Sequence, residues 1–127
     1  MKLSTPMLSM VSLATAFTLL TCSCKSKRQA RFEITNSTGH TIKNLTIQPD
    51  IDVNKYVDIE PNQKVIFKTS MTGMPKADGN YGLSFQGVDS SIDKTFGYFS
   101  NSLPLESITR IDIRPDTIIF KYEYNDY

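Results

Sequence analysis

Tryptophan is absent from this 127-residue chain, histidine occurs once, and cysteine occurs twice. Each scarcity removes a class of chemistry. Without tryptophan, a sugar-stacking platform would have to be assembled from tyrosine and phenylalanine. His40, the sole histidine, sits beside Gly39 in a turn-like stretch. A nucleophile–base pair needs a positioned hydroxyl or thiol and a third, orienting group, and no Gly-x-Ser-x-Gly elbow supplies one. Cys22 and Cys24 have no second pair, so a tetrahedral zinc site lacks ligands. A Cys-x-x-Cys redox motif is missing too. Phosphate-cradling glycine loops do not occur. The expectation is a non-enzymatic protein with no cofactor and no metal.

Apolar runs are also short. Met7 to Leu20 is the longest, broken only by Ser9, Ser12, Thr15 and Thr18. Crossing a bilayer takes about 20 apolar residues, so the run is too short for a transmembrane helix. It lacks the amphipathic stripe that a surface helix would turn to its core. With Lys2 in front and small residues behind, it reads as a secretory signal peptide.

The two cysteines refine that reading. The stretch Leu19-Leu-Thr-Cys-Ser-Cys24 resembles the lipobox of bacterial lipoproteins, in which a cysteine after small residues is lipidated and becomes the mature N-terminus. Cys24 has the small Ser23 immediately before it and is the expected lipidation site. Cys22, with Leu19 three residues earlier but Thr21 adjacent, is the alternative. The resemblance implies a signal peptide over residues 1–23, a lipidated cysteine and basic tether over 24–31, and a folded domain over 32–127. The implied partner is the membrane, reached through the lipid anchor. The implied place is the cell envelope, on the periplasmic side of the outer membrane, because Lys25, Lys27 and Arg28 stand where an acidic export signal would be.

Charge divides the chain at the same place. Lys25, Lys27, Arg28 and Arg31 are basic, whereas Phe32 onward holds nine Lys/Arg against thirteen Asp/Glu, a net of −4. Nucleic-acid binding calls for a clustered basic face on the folded part, so none is expected. Near an anionic surface each basic tether residue contributes on the order of 1 kcal/mol. The 104 residues left after removal of 1–23 make one ordinary domain. With no cysteine pair to bridge it, the domain must be held by its apolar core.

That core is written in period two. Phe32 and Ile34 alternate with Glu33 and Thr35; Val57 and Ile59 with Asp58 and Glu60; Tyr81, Leu83 and Phe85 with their neighbours; Ile118, Phe120, Tyr122 and Tyr124 fall on one face. Such alternation marks half-buried strands. Between Thr41 and Ile47, Ile42 falls out of phase with Leu45 and Ile47, and a bulge at Lys43-Asn44 would restore it. Asn36 to His40, Pro61-Asn-Gln63 and Arg114-Pro-Asp116 are turn chemistry. The segment Asp89–Lys94 is polar and reads as a connection. No helical stripe follows residue 25. About seven to nine short strands with turns every eight to twelve residues indicate a single antiparallel β-sandwich, immunoglobulin-like or transthyretin-like. This grammar also resembles small bacterial envelope lipoproteins carrying a sandwich domain, a resemblance that carries no functional residues.

Three groups remain as candidates. Asp50-x-Asp52-x-Asn54 opens like an EF-hand loop, but Lys55 replaces the required glycine and Pro61 the closing glutamate. A solvated acidic loop is therefore expected in place of a calcium site. The pairs Asp58/Glu60 and Asp89/Asp93 read as solvent-facing. Tyr81, Tyr98, Tyr122 and Tyr124 share parity with core residues and should be half-buried. Met71 and Met74, in the long loop Ser70–Asn80, and Tyr127 are then the expected exposed contact points for a binding loop, methionine being adaptable at such surfaces. The expected function is an envelope binding or assembly domain for a protein or glycan; the alternative is an immunity or inhibitor lipoprotein that blocks a toxin or hydrolase.

Overall fold

The computed structural model describes residues 28–124. Cys22, Cys24 and Tyr127 lie outside them, as does the signal-peptide stretch. The described chain forms nine strands: β1 (Gln29–Asn36), β2 (Ile42–Gln48), β3 (Val57–Ile59), β4 (Lys64–Ser70), β5 (Gly79–Gln86), β6 (Ser91–Ser100), β7 (Leu103–Pro104), β8 (Glu106–Ile113) and β9 (Ile118–Tyr124). They build two sheets, β4-β1-β8-β9 and β3-β2-β5-β6-β7. The expected all-β sandwich is present.

Alternation explains the layers. In β1, Phe32, Ile34 and Asn36 point inward while Arg31 is exposed and Glu33 and Thr35 are half-buried. In β5, Tyr81, Leu83 and Phe85 are buried. Ile34, Leu45, Ile47, Ile59 and Leu83 have no exposed surface at all; each such side chain contributes about 1.5–3 kcal/mol by leaving water. Phe32 meets Tyr81 edge-on at 5.1 Å and Phe96 at 5.6 Å, tying the sheets together through the aromatic geometry that ring quadrupoles favour.

The bulge falls where expected. Register shifts between Ile42 and Leu45 against β3, and between Lys43 and Thr46 against β5. Asn44 takes the positive φ of 54°, a conformation asparagine tolerates better than most residues. Ile42 is thereby returned to the core at 2% exposure.

Three expectations need correction. The sandwich is not wholly antiparallel: β1 runs parallel to β8, pairing Phe32 with Thr109 through Asn36 with Ile113. Alternation specifies faces and not strand direction, and the chain visits the other sheet between these two strands. The tether does not extend to Arg31, since β1 begins at Gln29 and Ala30 is buried at 3%. Asp89–Lys94 is not all connection either, because β6 starts at Ser91. Asp93, Lys94 and Thr95 are exposed there and only Ile92 packs partly against the core, so too few positions of this part of the strand are covered for an apolar alternation to show.

Candidate functional site

Three turns gather at one end of the sandwich: Ser37–Thr41 between β1 and β2, Gly87–Ser90 between β5 and β6, and Arg114–Thr117 between β8 and β9. They surround a cleft of about 680 Å³. Its apolar wall comes from Ile42, Phe85, Ile92, Ile118 and Phe120, and its rim from His40, Asp89, Lys94, Arg114 and Asp116. Ile118 and Phe120, which line it, are only partly covered, although Phe120 stacks on Phe96 of the opposing sheet at 4.7 Å.

Asn36 holds the first turn. It is fully buried. Its amide donates to the carbonyls of His40 at 2.6 Å and Ile59 at 2.8 Å, and its Oδ1 accepts from the Thr38 amide at 3.0 Å and hydroxyl at 2.7 Å. A buried amide satisfied on both sides fixes the backbone without an orphan polar atom. The third turn is set from the sheet below. Asp112 accepts from the Ser37 hydroxyl at 2.7 Å and from Arg114 Nε at 2.9 Å. These two contacts, the hydroxyl first, hold the Asp112 carboxyl below the usual carboxylate range. The Arg114 amide closes the turn on the Thr117 carbonyl at 2.9 Å. In the middle turn, the Gly87 amide bonds the Ser90 carbonyl at 2.9 Å. Val88 at its tip is 69% exposed. The result is a preformed apolar hollow with charges of both signs around it, a common form for a binding site.

The residues singled out from sequence distribute unevenly. His40 and Asp89 stand on the cleft rim. Asp93 does not join Asp89; it accepts from the Ser84 hydroxyl. Asp58 accepts from the Asn44 amide at 2.9 Å and Glu60 from the Thr41 hydroxyl at 2.9 Å, both at the surface. Met71 is the clearest error: it is 1% exposed and part of the core. Its amide bonds the Arg28 carbonyl at 2.8 Å, while Arg28 Nη1 donates to the Met74 carbonyl at 3.1 Å. Met74 packs against the core as well. The loop is pulled down onto the start of β1, so these methionines fill space and are not free contact points. Tyr98, Tyr122 and Tyr124 err in the other direction, at 41%, 37% and 63% exposure. Tyr122 and Tyr124 do take the inner face but sit on the edge strand β9, whereas Tyr98 is turned to the outer face by a bulge at Gly97 that gives the core position to Phe99.

The acidic loop is resolved by its own lysine. Asp50 is buried at 3%. Its Oδ1 accepts from the amides of Asp52 and Ser70, each at 3.2 Å. Its Oδ2 faces Lys55 Nζ at 2.9 Å. That ammonium also donates to the Lys68 carbonyl and lies 4.9 Å from the centre of the Phe67 ring. A protein cation thus occupies the ground a calcium ion would need. Among the described residues no group of three or more His, Cys, Asp or Glu is arranged to hold a metal.

No protein-family model, no curated protein and no solved structure matches this chain. Sequence reasoning missed Asn36, Lys94, Val88 and Arg114 as builders of the cleft. The turn residues around Asn36 were visible in the sequence, but the convergence of three turns distant in sequence was not.

Proposed function

We propose that this chain is a lipid-anchored protein of the bacterial cell envelope whose sandwich domain binds a protein partner, without catalysis, through the end cleft. The observation that carries the reading is the cleft itself: an apolar wall of Ile42, Phe85, Ile92 and Phe120 beside rim charges Lys94, Arg114, Asp89 and Asp116. A projecting apolar side chain of a partner would enter the hollow, and its polar flanks would meet the rim. The anchor reading rests on the apolar run Met7–Leu20 followed by Cys24, and on the basic residues behind it.

The test is a photo-crosslinking amino acid at Val88 in the full-length protein expressed in its own envelope, followed by mass spectrometry. One discrete partner, lost when Ile92→Asp is added, supports the reading. Labelling of nothing, or labelling unchanged by Ile92→Asp, overturns it. A captured toxin or hydrolase that loses its activity on binding would define the partner class as an enzyme under inhibition. The mass of the N-terminal peptide from the same sample distinguishes lipid on Cys24 from lipid on Cys22.

A further inference from the structure

The four-stranded sheet ends in β9, which pairs with β8 on one side and with nothing on the other among the described residues. Its two faces differ. Phe120, Tyr122 and Tyr124 point to the inner side, with the last two exposed. Ile119, Lys121 and Glu123 point outward, and Glu123 is 52% exposed. A long, open edge bearing apolar side chains is a template for another strand.

We propose that this edge pairs with β9 of a second copy of the same chain, antiparallel and centred on Tyr122, so that the two four-stranded sheets become one. The register follows from charge. Directly opposed residues in an antiparallel pair lie with Cβ atoms about 4.5–5.5 Å apart, and opposite charges there attract while like charges repel. Centring on Tyr122 sets Lys121 against Glu123 of the second copy and Glu123 against its Lys121. On the other side Tyr122 meets Tyr122, and Phe120 meets Tyr124. Centring one residue earlier sets Lys121 against itself, and one residue later sets Glu123 against itself. A lone lysine on an edge strand discourages pairing; opposite charges two residues apart favour it in one register.

Lys121 has reason to seek such a partner. Within the chain its cross-strand neighbour is Arg110, and Arg110 already holds Glu123 and Glu33. No carboxylate is paired with Lys121 among the described residues. The two-fold axis stands perpendicular to the sheet, so both copies turn the same outer face in one direction, as two chains anchored in one membrane require. The inference does not depend on the cleft.

The experiment uses the full-length chain in mild detergent, mixed from light- and heavy-nitrogen preparations and treated with a zero-length carbodiimide. Isotope mixing matters, because Lys121 and Glu123 of one chain are close enough to link internally. The expected product is a Lys121–Glu123 linkage with one light and one heavy half. Lys121→Glu should weaken association about tenfold, by losing two ion pairs and opposing like charges. Lys121→Glu combined with Glu123→Lys should restore it, with the mixed-isotope linkage now joining the two exchanged side chains in the opposite sense. Both side chains are exposed, and an unchanged unfolding midpoint verifies that each variant folds. Linkages confined to single chains, mixed linkages at other sites, or a double variant that fails to recover would each overturn the proposal.

Discussion

The two edges of the four-stranded sheet meet solvent in opposite ways. At β4 the chain seals its own edge: the Ile51 amide bonds the Ser70 carbonyl at 2.7 Å, and Lys55 caps the Lys68 carbonyl from its seat against Asp50. At β9 no strand or loop of the described chain covers the edge, and two tyrosines stand partly in water. The sealed edge depends on one buried carboxylate that organises a six-residue loop. The open edge carries a self-complementary charge pair. An exposed strand edge invites pairing unless it is blocked, so the difference marks one side as finished and the other as available.

Breaking the sealed edge should have the heaviest consequence. Asp50→Ala removes the acceptor for the Asp52 and Ser70 amides and strands Lys55, and should cost about 3 kcal/mol in urea unfolding. An unchanged midpoint would mean that the loop, and not its carboxylate, seals β4. Beside the open edge, Gly97→Ala comes next. Gly97 has φ of 59°, and a Cβ there would lie 2.9 Å from the buried Tyr81 ring. The strained backbone and the overlap together should cost about 2 kcal/mol, read by the same unfolding curve.

The outer face joining the two edges should respond to pH. Glu33 is held below the usual carboxylate range by its hydrogen bond to Lys64, and Asp112 by Ser37 and Arg114. A carboxylate whose folded pKa is depressed adds stability that is fully present above the unfolded value and is lost as pH falls through the folded one. Unfolding midpoints should therefore hold from neutral pH to the ordinary carboxylate range near 4 and decline below it. Asp112→Asn should reduce that decline. The smallest effect belongs to the open edge itself: Tyr124→Ser should change the unfolding midpoint of a dilute sample by less than about 0.5 kcal/mol. A larger loss would show that Tyr124 is already covered within one chain.

Much of the framework was legible in the residues because period two and turn chemistry act locally. The out-of-phase Ile42 revealed the bulge, and Arg114-Pro-Asp116 revealed the hairpin of β8 and β9. Met71 and the tyrosines of β9 were misread because coverage is decided by tertiary contacts that local pattern does not report. Parity reports which face a side chain takes, but whether that face is covered depends on where the opposing sheet ends. Met71, in a glycine-containing loop, looked exposed and is buried because Arg28 and β1 receive it. Tyr124, in phase with the core, looked half-buried and is 63% exposed because it ends the edge strand β9.

Alternation was enough to specify an all-β sandwich held by apolar strands, since the apolar face of a strand is written in the residues of that strand alone. Sequence alone did not reveal the parallel pairing of β1 with β8, the cleft where three distant turns converge, or which sheet edge was left open. Those depend on contacts between segments far apart in the chain, formed only when the two sheets close on each other.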